Sequence, residues 1–145
     1  EGKPCGCGQN GCWEAYASAT GLVREANSRL TVNKNNLLYE RTQGREIEAK
    51  DIFDAAKEGD KFSISLVDYE AEYIAQGIGN LLNILDPEIV VIGGGVALAG
   101  EILFDRINEK LTKYALPSTL EGLKIVPAEL GNDAGIIGAA YLGMN

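Results

Sequence analysis

Cys5-Gly6-Cys7-Gly8-Gln9-Asn10-Gly11-Cys12-Trp13-Glu14 gathers all three cysteines of the 145-residue chain into eight positions. One residue separates the first two, and four separate the second from the third. The glycines among them let the backbone turn tightly without Cβ clashes. Thiolates this close together suit a soft, tetrahedral metal, and zinc is the first candidate, with Cys5, Cys7 and Cys12 as ligands. A disulfide with one spare thiol, or three reduced thiols, is the plain alternative. The segment is too short and too glycine-rich to bury three cysteines as core, which favours zinc. The chain has no histidine, so the fourth ligand is expected upstream of Glu1.

The rest of the composition narrows the class. A chain of this length supports one domain with a real core, and its 46% hydrophobic content is ordinary for a globular protein. A net charge of −8 without a basic cluster argues against nucleic-acid and anionic-membrane partners. No apolar run reaches the length of a membrane span, and no signal peptide is recognisable. Cysteines confined to one knot fit a reducing cytoplasm better than a disulfide scaffold. The sequence opens on Glu1 in mid-motif, which reads as a fragment or a processed product.

Downstream of Cys12, apolar residues at broadly helical spacing (Trp13, Tyr16, Ala17, Leu22, Val23, Ala26, Leu30) predict a helix to about Leu30, with a break near Thr20-Gly21. Glu14 falls in its first turn, where the helix dipole favours a carboxylate, and on the residues alone it is a helix-start acid. Thr31 to Ala49 is polar and reads as a loop with room for a short turn. Lys50 to Glu58 reads as a short helix stopped by Gly59. Asp60 is placed to cap a long core helix over 60–85, whose Val67, Ala71, Ile74, Ile78, Leu81, Leu82 and Leu85 form one stripe. Gly77 and Gly79 are poor helix formers, so another element is expected to approach them closely.

The last part, 88–143, reads as strand, helix, strand, helix. Asp86-Pro87 stops the long helix. Ile89-Val90-Val91-Ile92 has no alternation, which suits a strand covered on both faces. Gly93-Gly94-Gly95 follows, then a helix from about Ala97 to Tyr114. Strand, glycine turn and helix together form a phosphate-binding arrangement, with a tight turn of no function as its alternative. No Lys-Ser/Thr pair follows, so this is not a P-loop, and Leu98 stands where a dinucleotide fingerprint needs its third glycine. Leu123 to Val126 predicts a second strand ended by Pro127. Gly131 to Gly135 leads into a final helix, Ile136 to Leu142, with Gly135, Gly138, Ala139 and Ala140 as a small-residue face for packing on the sheet. Two strand–helix units in series argue for an α/β parallel sheet with right-handed crossovers.

Cys-x-Cys-Gly-x-x-Gly-Cys-x-Glu, continued by Ala15-Tyr16-Ala17-Ser18, resembles the zinc motif of the ROK family (repressors, open reading frames and sugar kinases). Asp86 to Val96 and Asn132 to Ala140 resemble that family's later segments, in the right order. Within the family the resemblance is greatest to bacterial glucokinases, and it covers only the C-terminal half of such an enzyme. It implies the C-terminal lobe of an actin-like ATPase fold, incomplete as a fragment. It implies a kinase using ATP with Mg²⁺ to phosphorylate glucose or a related hexose, with structural zinc, a homodimeric state and a catalytic base outside this chain. It assigns Glu14 to sugar hydroxyls and Gly93, Gly94 and Gly95 to nucleotide. It sets the loop from Gly131 to Gly135 at one side of the nucleotide site, with no role assigned to Asp133. ROK repressors share the sugar and zinc motifs and add a DNA-binding module, so a sugar-sensing repressor is the second reading. A free-standing zinc-binding interaction module is a third, weakened by the extent of the α/β sequence that follows the knot.

Overall fold

The computed structural model describes residues 2–143; Glu1, Met144 and Asn145 lie outside the described residues, as do the side chains of Asn132 and Ala134. Its centre is the 25-residue helix α4, Lys61–Leu85. Asp60 caps it, taking the Ser63 backbone N–H at 3.0 Å and the Ser63 hydroxyl at 2.6 Å on the same carboxylate oxygen. The first contact satisfies a backbone donor that the first helical turn leaves without an intrahelical partner, and the second satisfies the hydroxyl of the buried Ser63. Val67, Ala71, Ile74, Ile78 and Leu82 are buried, as the stripe requires, but Leu81 and Leu85 near its end are exposed.

The two glycines of α4 have the expected cause. A Cβ on Gly77 would lie 2.1 Å from Cε2 of Trp13, and one on Gly79 would lie 2.5 Å from Cβ of Tyr114. The helix accepts two unfavourable residues, about 1 kcal/mol each, so that an indole and a tyrosine can lie directly on its backbone.

On α4 pack α1 (Ala19–Leu30), α3 (Ala49–Lys57) and α5 (Glu101–Leu111), and α2 (Leu37–Thr42) packs on α3. Their apolar faces meet in one cluster that includes Leu22, Leu38, Ile52, Phe53, Leu66, Leu103 and Ile107. A capping box starts α3: Asp51 Oδ2 accepts the Glu48 backbone N–H at 2.9 Å while Glu48 accepts in return from the first turn.

Four expectations need correction. The helix after Cys12 is interrupted earlier than Thr20-Gly21. A short 3-10 turn, Trp13–Ala15, gives way to α1 only after Ser18, whose hydroxyl oxygen accepts the Gly21 N–H at 3.0 Å. Serine in extended backbone is a better helix start than the glycine that follows. Second, residues 31–49 contain α2, where Asn36 supplies the cap by accepting the Tyr39 N–H at 2.9 Å. Third, the helix expected over 97–114 is two pieces. A 3-10 turn, Gly95–Ala99, ends at Gly100, whose φ of 69° restarts the chain as α5. That left-handed backbone is open to glycine at little cost and breaks a run that reads as continuous.

The fourth correction concerns the sheet. β1 (Ile89–Ile92) pairs in parallel with β2 (Lys124–Pro127), Val90 opposite Ile125. Pro127 is the last strand residue, and a four-residue helix, α6 (Pro117–Leu120), precedes the strand. Among the described residues only one face is covered: Val90, Ile92 and Ile125 pack on the helical core, whereas Ile89 and Val91 are 53% and 60% exposed. The final helix, α7 (Ala134–Gly143), does not lay its small residues on the sheet. Gly135 and Gly138 meet nothing among the described residues, and Ala139 and Ala140 are exposed. Among the described residues no helix is long and apolar enough to cross a membrane.

Candidate metal centre and nucleotide-side cleft

Residues 3–11 form a small closed loop. Pro4 and Asn10 bridge in antiparallel fashion. The Cys5 N–H donates to Gln9 O at 2.9 Å, and the Gly11 N–H donates to Lys3 O at 2.9 Å. This folding back brings the three Sγ atoms within 4.8 Å of one another, with Cys7 and Cys12 3.5 Å apart. All three are free thiols. Zinc–sulfur bonds of about 2.3 Å in a tetrahedron place sulfurs about 3.8 Å apart, so the observed cluster fits that ion with little movement.

The proton balance of the cluster fits a cation too. A hydrogen bond from the backbone at Gln9, then those from Cys12 and Cys5, hold the Cys7 thiol below its ordinary range. Cys12 is pushed up to about 11, because its thiol donates to Cys7 and Cys5. One thiolate is stabilised at the expense of its neighbour, and a dication would remove that competition by favouring all three.

Glu14 stands beside the cluster on the Trp13–Ala15 turn. Its Oε2 accepts from the Cys5 thiol at 3.3 Å and its Oε1 from the Ser18 hydroxyl at 3.5 Å. The turn is fixed from the other side by Trp13, which lies on Gly77 and donates Nε1–H to Tyr73 O at 2.7 Å. The exposed carboxylate is thus held between the thiol cluster and the cap of α1.

The glycine segments meet elsewhere on α1. Gly94, with φ 75°, ends the extended backbone after β1 and opens the Gly95–Ala99 turn. A cleft of about 290 Å³ is lined by Gly94, Gly95, Ala97 and Leu98 after β1 and by Pro127, Ala128 and Gly131 at the end of β2. It lies at the carboxyl ends of both parallel strands, the place where open α/β sheets hold ligands. Gly93 stands one residue back, in ordinary contact with Ala128. Gly131 joins Gly94 and Gly95 on the cleft, in the loop that the family resemblance sets at one side of the nucleotide. A Cβ on Gly95 would lie 2.9 Å from Cβ of Ala19, so the glycine turn rests on the first residue of α1. Glu14, Ser18 and Ala19 therefore connect thiol cluster and cleft within six residues of chain.

Two parallel strands with glycine turns at their carboxyl ends, packed on a helical body that also carries the cysteine loop, define an α/β lobe. The ROK family model matches residues 1–145, and the chain belongs to the ROK family. It is 44% identical over 142 residues to a glucokinase of Halalkalibacterium halodurans, covering 97% of this chain and 43% of that protein. A ROK family glucokinase from Streptomyces griseus, solved in complex with glucose and AMPPNP, superposes with a TM-score of 0.84 at 34% identity, covering 97% of this chain and 47% of that one. A ROK family transcriptional regulator, a homologue of the E. coli MLC protein, superposes with a TM-score of 0.83 at 28% identity, covering 99% of this chain and 36% of that one. The chain thus spans under half the length of these relatives, and its fold is that of the ROK sugar kinases.

Proposed function

We propose that this chain is the metal-knot and nucleotide-side part of an ATP-dependent hexose kinase that converts glucose to glucose 6-phosphate. The observation that carries this reading is the junction at the start of α1. Ser18, its cap, touches Glu14, and Ala19, its first residue, touches the glycine turn of the cleft. A sugar held by Glu14 and a nucleotide held at Gly94, Gly95 and Gly131 would share one rigid support, as phosphoryl transfer by positioning demands. The relative solved with glucose and AMPPNP supports the pairing of ligands.

In this reading Cys5, Cys7 and Cys12 hold zinc, which when bound supplies a structural clamp and favours the three thiolates. Held as a thiolate, Cys5 would have no proton to donate to Glu14, and Oε2 would be left to accept from sugar hydroxyls. Those charge-assisted bonds orient the hexose. The glycine turns present backbone to phosphate oxygens, whose charge Mg²⁺ offsets. The base that deprotonates the sugar hydroxyl is assigned to sequence outside this chain.

The regulator's close superposition favours a second reading, in which the same knot and Glu14 sense a sugar without phosphorylating it. One experiment separates the two. The protein of full length is assayed for ADP release with glucose and with its 2-acetamido derivative, as wild type and as Glu14→Gln and Glu14→Ala. A kinase is expected to show glucose-dependent turnover. The glucose KM should rise on the order of tenfold for Gln, about 1.4 kcal/mol, and further for Ala, with the ATP KM little changed. Sugar-dependent DNA binding without turnover would establish the sensor instead. Unchanged sugar KM in both variants would remove Glu14 from the sugar site.

A further inference from the structure

None of residues 2–14 is buried. The knot therefore has no apolar core of its own, and its placement on the helical body rests on a few discrete anchors. Trp13 on Gly77 is the anchor at its exit. The anchor at its entrance is polar and centres on one side chain.

Lys3 reaches three elements at once. Its ammonium pairs with Glu25 of α1 and donates to the Tyr69 hydroxyl of α4 at 2.6 Å. It also stands 4.8 Å from the ring centre of Tyr69 and 5.2 Å from that of Tyr16. The Lys3 backbone N–H donates to the Tyr16 hydroxyl at 2.8 Å, while its carbonyl accepts the Gly11 N–H that closes the cysteine loop. Glu25 is itself held by Arg29 at 2.8 Å. The lysine side chain is only 27% exposed. So the residue that closes the metal loop through its carbonyl also ties the loop to α1 and α4 through its ammonium, next to Arg24 of α1, which donates to Pro4 O at 2.9 Å.

We propose that Lys3 is a positioning residue for the metal centre: through Glu25 and Tyr69 it pre-forms the loop in which Cys5, Cys7 and Cys12 converge. The inference rests on the zinc reading given above. A loop of exposed, glycine-rich chain samples many shapes when free, and ordering it is a cost that falls on metal binding unless something else has met it already. Groups that hydrogen-bond a metal's ligands typically change its affinity by about 10–100-fold, and Lys3 acts one step further out, through the backbone of the loop that carries them.

The test is zinc affinity, measured on the purified protein by competition against a chromophoric chelator, together with a thermal melt of the metal-free form. Lys3→Met keeps the length of the stem and removes the donors. Tyr69→Phe removes one partner and leaves the ring. Lys3→Arg retains charge and reach. The zinc Kd is expected to rise tenfold or more in Lys3→Met and by a smaller factor in Tyr69→Phe, and to stay within about threefold of wild type in Lys3→Arg. A role in general stability alone would lower the melting temperature of Lys3→Met and leave the Kd of Lys3→Met and Tyr69→Phe at the wild-type value, and that result overturns the proposal. Wild-type protein that takes up no zinc overturns the metal reading and this inference with it. Zinc bound equally by wild type and variants overturns the inference alone. If Lys3→Met does not fold, Tyr69→Phe decides.

Discussion

Glu70 gives the strongest test of the helical core. It lies on α4 between Val67 and Ile74, in phase with the apolar stripe, and is fully buried. Neither carboxyl oxygen has a hydrogen-bond partner among the described residues. Burial pushes its pKa up from an ordinary 4.5 to about 8, opposed only by the ammonium of Lys3. The folded chain therefore keeps this proton where the unfolded chain releases it. With the folded pKa raised, the stabilising contribution is present below about pH 4.5 and is lost progressively as pH rises to about 8. At 1.36 kcal/mol per unit, the loss is about 3 kcal/mol at pH 7 and about 5 kcal/mol by pH 9. Glu70→Gln is neutral throughout and carries only the desolvation of an unpartnered amide, about 1–3 kcal/mol. Denaturant melts of both proteins at intervals from pH 5 to pH 9 are the assay. The variant should be the less stable at pH 5 and the more stable at pH 9, by about 2–4 kcal/mol at the upper end. Glu70→Leu, without a polar group, should gain more. Curves for wild type and Glu70→Gln that run parallel across the range would refute a buried, neutral carboxyl.

Other outcomes follow from the metal centre and from α4. Metal analysis of the full-length protein should find one zinc per chain, lost together with thermal stability on chelation; a disulfide between any two of Cys5, Cys7 and Cys12 in the purified reduced protein would count against the site. Gly77→Val should displace the indole that lies on Gly77 and lower stability by about 1–3 kcal/mol, with a red-shifted Trp13 emission as the local readout. The 145-residue chain by itself should not phosphorylate glucose in a coupled assay, because general-base help alone is worth about 10²–10⁴-fold. Turnover by the isolated chain, free of host kinase, would place the base inside it.

Local chemistry with a short reach was legible in the sequence. Asp60 as a cap and most of the α4 stripe depend on spacing within one helix, and Gly77 and Gly79, poor helix formers in mid-helix, signal a close neighbour without naming it. The convergence of the three thiols was legible for the same reason. Features set by distant contacts were not. Gly100 looks like one more residue of a helix until its φ of 69° is known. Ile89 and Val91 look like a doubly covered strand, yet their outer face has no cover among the described residues. Lys3 was invisible as an anchor because its partners, Glu25 and Tyr69, lie 22 and 66 residues away. Glu70 did carry a signal, a carboxylate in register with an apolar stripe, but only burial gives that signal a meaning.

The half-covered sheet bears on how the isolated chain behaves in solution. Among the described residues the two short parallel strands leave a hydrogen-bonding edge open on each side, next to the exposed Ile89 and Val91. Unpaired edges of this kind invite strands from other molecules. At neutral pH the net charge of −8 keeps copies apart. Near the isoelectric point of about 4.5 that repulsion vanishes while the edges remain. Colloidal stability and the part of conformational stability that Glu70 controls thus pull in opposite directions along the pH axis: the fall in pH that removes the cost of burying this carboxyl also removes the charge that keeps the molecules apart.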